Sequence, residues 1–156
     1  MSTRCQILVE GSDVVLYRHS DGYPTGESGV LKPLKKIVSQ FCKHRGFDTT
    51  YLPAHIISSF IVDQNKWIDE HVAKGSLERD YAGTRFLGHG VEAYYPDRKN
   101  TGLHGDIDYL YVVKRNGTIE VREPMLNFGE DGECRIQNTK MTSVVKYARK
   151  TTLTNV

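Results

Sequence analysis

The chain has 156 residues, of which 38% are hydrophobic and 26% charged, with a formal net charge of +2. These proportions are typical of one soluble globular domain that can bury its own core. They exclude a membrane-spanning protein, because no apolar run approaches the roughly 20 residues needed to cross a bilayer. Residues 1–5 lack the apolar stretch of a secretory signal, so the expected location is the cytoplasm.

The first 19 residues predict two strands joined by a turn. Apolar and polar residues alternate from Cys5 to Val9, which is the pattern of a half-buried strand. Gly11-Ser12-Asp13 is a turn sequence, and residues 14–19 supply the returning strand. His19 lies at the end of that strand, where a side chain commonly meets solvent or a cleft.

Two helices are predicted next. Apolar residues recur at helical spacing from residue 30, with lysines on the opposite face, and Gly46 ends this pattern. Pro53 suits the first position of a second helix, which Gly75 ends. Cys5 and Cys42 fall in apolar patterns and are expected to be buried thiols. The three cysteines of the chain, which include Cys134, are too far apart in sequence to indicate a disulfide framework or a structural zinc site.

The second half of the chain predicts further strands. A strand over 85–95 is interrupted by glycines, and a hairpin joins 108–113 to 118–121 through Asn116-Gly117, which suits a type I′ turn. A weaker hairpin is predicted over 128–136 and a short final helix over 143–150. The fold class is therefore α+β in the order β-β-α-α-β-β-β, with two helices packed on one face of an antiparallel sheet. Residues 1–150 form this single domain, and 151–156 form a short tail.

The glycine-rich loop over residues 18–29 joins a strand to a helix N-terminus. Such a loop can direct backbone N–H groups at an anion, although it matches neither a Walker loop nor G-x-G-x-x-G, and Glu27 opposes a phosphate. The alternative is an ordinary tight turn whose glycines supply positive φ angles. Its ligand-binding candidates are Arg18, His19, Asp21, Gly22, Tyr23 and Gly26.

Two clusters of polar residues could carry chemistry. His19 with Asp21 has the residue types for acid–base catalysis, and His104, Asp106 and Asp108 form a second cluster before the hairpin. The two aspartates offer oxygen ligands for a hard cation, to which His89 could add a nitrogen. The catalytic candidates are His19, Asp21 and His104, and the metal candidates are Asp106 and Asp108. The alternative is that these side chains only cap turns and meet solvent.

Three pieces of the chain resemble a diffuse group of uncharacterised proteins from phages, other mobile elements and prokaryotes. They are Ser2-Thr3-Arg4 before a strand, YRHSDGYP at residues 17–24 followed by glycine, and GDIDYLYVV at residues 105–113. Ser20 stands where many members carry an aromatic residue. The group has no established activity, so the resemblance implies no functional residue. It implies a viral or mobile-element accessory protein, which would act in the host cytoplasm.

The function expected from these patterns is binding of a host protein or of a small anionic, nucleotide-like ligand through the 18–29 loop. The alternative is a metal-dependent hydrolase or phosphodiesterase that uses both polar clusters. No cofactor is indicated. From residue 140 onward every charged side chain is basic, namely Lys140, Lys146, Arg149 and Lys150, so nucleic acid is expected as a partner only through the 140–150 segment.

Overall fold

In the described part of the chain, six strands pair into one mixed sheet, and two helices lie between the second and third strands. The computed structural model describes residues 2–75, 88–98, 101–128 and 134–148. The elements in chain order are β1 Cys5–Val9, β2 Val14–Arg18, α1 Leu31–Arg45, α2 Tyr51–Ala73, β3 His89–Ala93, β4 Tyr109–Val113, β5 Thr118–Phe128 and β6 Cys134–Lys146. The spatial order of the strands is β3-β2-β1-β4-β5-β6.

The α+β class and the two helices are confirmed, but the prediction of a purely antiparallel sheet is wrong. Strand β4 runs parallel to β1, with Cys5 opposite Tyr109 and Val9 opposite Val113, while the other neighbouring strands are antiparallel. A parallel pair requires a long connection between its strands. Here the connection passes through β2, both helices and β3, so β4 can enter the sheet from the same end as β1.

The predicted helix over 143–150 is also wrong where the structure describes it, because residues 143–146 belong to β6. Among the described residues, four strands therefore follow the helices instead of three. Ser143 pairs with Val121 and Val145 pairs with Ile119 on the long strand β5. A few apolar residues satisfy a helical or an extended pattern equally well, and hydrogen bonding to β5 decides between them. Three predicted segments lie outside the described residues. They are the turn of the weaker hairpin at 129–133, the C-terminal residues 149–156, and residues 85–87 of the predicted strand, which in the structure begins at His89.

The β4–β5 hairpin has the predicted position but a different turn. A type I′ turn needs positive φ at both Asn116 and Gly117. Gly117 has φ +91°, but Asn116 does not have a positive φ. In the described part of the chain, Asp21 is the one non-glycine residue with a positive φ. Residues 115–117 instead form a three-residue loop, closed by the Lys114 N–H donating to the Thr118 carbonyl at 2.7 Å.

The helices end at the predicted glycines, Gly46 with φ +78° and Gly75 with φ +75°. Helix α2 begins two residues before Pro53, because the Asp48 carboxylate accepts hydrogen bonds from the backbone N–H groups of Thr50 and Tyr51 at 2.9 and 3.0 Å. These bonds and a neighbouring arginine lower the pKa of Asp48. None of the described helices is long and apolar enough to cross a membrane.

Both faces of β1 are buried, so the sheet lies between two layers. Cys5, Ile7 and Val9 pack with the helices, and Leu8 packs on the opposite face, the outer face, in a smaller cluster with Val15, Ile107 and Leu110. Cys5 and Cys42 are buried free thiols, as predicted. Burial raises their pKa values to about 12 and about 11, respectively.

Tyr111 of β4 connects this core to the 18–29 loop. Its side chain is fully buried, and its hydroxyl donates to the Gly22 carbonyl at 2.7 Å. The Gly22 N–H donates to the Thr3 carbonyl at 2.9 Å. A Cβ at Gly22 would lie 2.9 Å from backbone atoms of Arg4 and Cys5. The loop therefore follows the edge of the sheet closely at this point.

We expect Tyr111→Phe to lower the free energy of unfolding by roughly 1–3 kcal/mol, because the buried Gly22 carbonyl loses its donor. Urea unfolding followed by circular dichroism measures the change. The matched control is Tyr109→Phe, in which the half-buried neighbouring tyrosine loses its hydroxyl. An equal effect in the two variants would show that the Gly22 bond contributes nothing specific.

Candidate functional site

The first two ligand-binding candidates of the loop point to opposite sides of the sheet. The Arg18 guanidinium lies 4.9 Å from the centre of the Phe60 ring on the helix side, and its Nε donates to the Ser20 carbonyl at 2.9 Å. The His19 Nδ1 atom forms a 2.9 Å hydrogen bond with the Tyr17 hydroxyl. Alternation along the strand explains the separation, since successive side chains of β2 face opposite ways.

The next three candidates have contacts that fix the conformation of the loop. Asp21 is exposed, adopts φ +56°, and accepts a 3.3 Å hydrogen bond from the Tyr23 hydroxyl. Gly22 is held by Thr3 and Tyr111, as described above. The Tyr23 carbonyl accepts the Val30 N–H at 2.9 Å, which ties the loop to the start of α1. Gly26, the last of the six candidates, lines an open cleft between the loop and α1, which is described below.

On the outer face, Tyr17 brings His19 and His104 together. The ring of Tyr17 lies 4.7 Å from the ring of His104 and 6.1 Å from that of His19. Burial, followed by the negative charge of Asp106, raises the pKa of Tyr17. The two histidines that the sequence placed in separate clusters therefore share one neighbour. Asp21 does not join them, because its carboxylate instead accepts the hydrogen bond from the Tyr23 hydroxyl.

His104 is held on both sides by carboxylates. Its Nε2 lies 2.7 and 2.6 Å from the two oxygens of Glu92, and its Nδ1 lies 3.8 Å from Asp106. Asp106 also pairs with the Arg4 guanidinium at 2.6 Å, and Asp108 accepts the Arg4 N–H at 3.1 Å. Sequence reasoning did not select Glu92 or Arg4 as site residues, because Glu92 lies 12 residues from its partner His104 and Arg4 lies 102 residues from its partner Asp106.

The two metal candidates, Asp106 and Asp108, are thus both in contact with Arg4, a positively charged residue of the protein. In the described parts of the chain, no three side chains of His, Cys, Asp or Glu come together as a group that could hold a metal. His89 lies opposite Arg18 in the β2–β3 register, on the helix side. Both of its ring nitrogens are buried without a hydrogen-bond partner. Desolvation, with a smaller effect of Arg18, lowers its pKa to about 4.

Gln6 of β1 fixes the segment that carries His104. Its side chain is 0% exposed. Its Nε2 donates to the Gly102 carbonyl at 3.0 Å, and its Oε1 accepts the His104 N–H at 2.9 Å. One amide therefore satisfies two backbone groups of the loop that covers the outer face.

An open cleft of about 650 Å³ lies beside this network and is lined in part by Glu92, Tyr95, Arg98 and His104. Its charged groups have partners within the protein. His104 binds Glu92, and the Arg98 guanidinium lies 4.5 Å from the centre of the Tyr95 ring. Both contacts engage the charged side chains of this cleft within the protein itself.

A second open cleft, of about 590 Å³, lies between the 18–29 loop and α1; we call it the lysine cleft. Its lining residues are Pro24, Thr25, Gly26, Leu31, Lys32, Lys35, Lys36, Ser39 and Val145. The lining combines apolar side chains with three lysines and contains no acidic residue. None of the three lysines pairs with a carboxylate among the residues that the structure describes. The lysines were not among the sequence-predicted site residues, because they fit the solvated face of α1.

No family model, no curated protein and no solved structure matches this chain. The resemblance based on the YRHSDGYP stretch therefore stays a prediction.

We expect Gln6→Met to leave the fold intact but to release the loop over residues 101–106. The Gly102 carbonyl and the His104 N–H would lose their partner, at a cost of roughly 1–3 kcal/mol. Hydrogen exchange of the His104 amide should accelerate. Gln40→Met, at an exposed position of α1, is the control. It should change neither the free energy of unfolding nor the exchange rate of the His104 amide. Unchanged exchange at His104 in the Gln6 variant would contradict the assigned role.

We expect His89 to make the protein less stable in acid. Its folded-state pKa of about 4 lies below the ordinary 6.5, so between these values the unfolded chain binds more protons than the folded one. The contribution of this group is fully present above pH 6.5 and is lost as the pH falls toward 4. Urea unfolding at several pH values measures it. The slope should be shallower in His89→Phe, and an unchanged slope would contradict the expectation.

Proposed function

We propose that this protein binds an anionic ligand with an apolar body in the lysine cleft. The observation that carries the proposal is the set of three lysines, Lys32, Lys35 and Lys36, which surround an apolar lining without an ion-pair partner in the described part of the chain. A ligand that carries both negative charge and apolar surface would match the two halves of this lining.

The placement of the lysines supports the proposal, because it is unfavourable for the helix alone. They lie three and four residues apart and so share one face, where like charges repel. They also lie in the first two turns of α1, near the positive end of the helix dipole, where cations destabilise. Helix α1 contains no acidic residue that would offset these effects. A bound anion would reduce the repulsion among the lysines and their unfavourable interaction with the helix dipole.

The loop contributes its last part to the proposed site. Pro24, Thr25 and Gly26 line the cleft, and Gly26 adopts φ +97°. The earlier residues of the loop position this part through their contacts with the core. The proposal therefore keeps the expected anionic ligand and locates it at the end of the loop that adjoins α1.

The alternative of a metal-dependent hydrolase has no comparable support. The carboxylate of Asp106 is engaged by Arg4, and Glu92 is engaged by His104. The carboxylates of the outer-face network thus already have positive or hydrogen-bonding partners. In contrast, the lysine cleft presents charges that the described residues do not neutralise.

The proposal is tested with two fluorescent probes of similar shape. Anilinonaphthalene sulfonate is an aromatic anion, and N-phenylnaphthylamine is its uncharged counterpart. We expect the anion to bind more tightly, and Lys35→Gln to weaken its binding roughly fivefold, the equivalent of about 1 kcal/mol for an exposed charge pair. Binding of the uncharged probe should be unchanged.

The matched control is Lys43→Gln, which removes a lysine of the same helix that does not line the cleft. It should leave binding of the anion unaltered, and circular dichroism verifies the fold of each variant. Equal binding of the two probes, or equal effects of the Lys35 and Lys43 substitutions, would contradict the proposed site.

A further inference from the structure

We infer that the partner recognised by the lysine cleft is an acidic, extended segment of another protein, which adds as a strand to the edge of β6 that faces away from β5. This inference rests on the proposed function, because it concerns the same cleft. It names the occupant and the way in which the occupant is held.

The first argument is the position of β6 beside the cleft. Strand β6 is the last strand of the sheet and pairs with β5 on one side, and no strand in the described ranges pairs with its other side. Val145 of β6 lines the cleft together with α1, and the Ser39 hydroxyl donates to the Tyr147 carbonyl. An edge strand flanked by a helix forms a groove in which an extended peptide can bind by strand addition.

The second argument is charge. Residues 134–148 contain Arg135, Lys140 and Lys146 and no acidic residue. Lys140 and Lys146 of β6 and the three lysines of α1 thus place basic side chains on this edge strand and beside it. A segment with glutamate or aspartate side chains would therefore be attracted, whereas a basic segment would be repelled.

The third argument is the exposed apolar surface of the same strand. Val144 is 55% exposed and Met141 is 41% exposed. Because side chains alternate along an added strand, a partner can place charged groups on one face and apolar groups on the other. The apolar residues would then contribute to binding beyond the main-chain hydrogen bonds.

The same observations disfavour two other occupants. A second copy of this chain would pair two strands that each carry basic and no acidic side chains over residues 134–148. A single-stranded nucleic acid usually stacks its bases on aromatic rings, and the lining of the cleft contains no aromatic side chain.

The test uses a fluorescein-labelled peptide of eight residues that alternates glutamate and valine. A matched peptide has the same side chains, but every second backbone N–H is methylated so that it cannot pair as a strand. Fluorescence anisotropy measures both affinities. We expect the unmodified peptide to bind at least tenfold more tightly, and Lys35→Gln to weaken its binding while Lys43→Gln does not. Hydrogen exchange of the β6 amides should slow when it binds.

Each other outcome overturns the inference. Equal affinity of the two peptides would show that charge alone attracts them, without strand addition. Binding of the aromatic anion without binding of the peptide would refute the peptide partner and leave the proposed function standing. Absence of binding for both would refute the two together. Tighter binding of an oligonucleotide of eight nucleotides, or self-association of the chain through β6, would assign the surface to those partners instead.

Discussion

The central constraint on this protein is that β1 is buried on both faces, which requires a covering layer on each side of the sheet. The helices provide one layer through ordinary apolar packing. The outer layer is a loop, and a loop has backbone groups that need hydrogen-bond partners when covered. The buried side chain of Gln6 supplies two of them, at Gly102 and His104. A polar residue in the most buried strand is thus explained by the loop that it holds.

This arrangement distinguishes two kinds of polar residue. On the outer face, Arg4 binds Asp106 and Glu92 binds His104, so these groups compensate one another and hold the loop in place. Lys32, Lys35 and Lys36 of α1 have no carboxylate partner among the residues that the structure describes, and their position near the helix N-terminus costs stability. Natural chains depart from locally favourable choices mainly where function requires it. The charge pattern of α1 is therefore a stronger indication of ligand binding than the richer chemistry around His104.

The 18–29 loop has a structural part and an open part. Gly22 passes so close to the backbone of Arg4 and Cys5 that a side chain would not fit, and Tyr111 secures it from the core. After Tyr23, the loop lines the lysine cleft with Pro24, Thr25 and Gly26. The close contact at Gly22 fixes the position of the cleft wall relative to α1. The motif that is most distinctive in the sequence thus serves mainly to position its neighbours.

The sequence by itself determined both helices, their glycine ends, the first two strands, the β4–β5 hairpin and the burial of Cys5 and Cys42, because these features follow from local periodicity and backbone preference. It did not determine the parallel pairing of β1 with β4, the extended form of residues 143–146, or the meeting of His104 with Glu92, which depend on contacts between distant segments. The residues of the proposed site divide in the same way. Gly26 was among the candidates because glycine marks the loop locally. Only the tertiary structure placed Val145 in the same cleft as the lysines of α1, because the pairing of β6 with β5, which no local pattern encodes, sets the position of Val145.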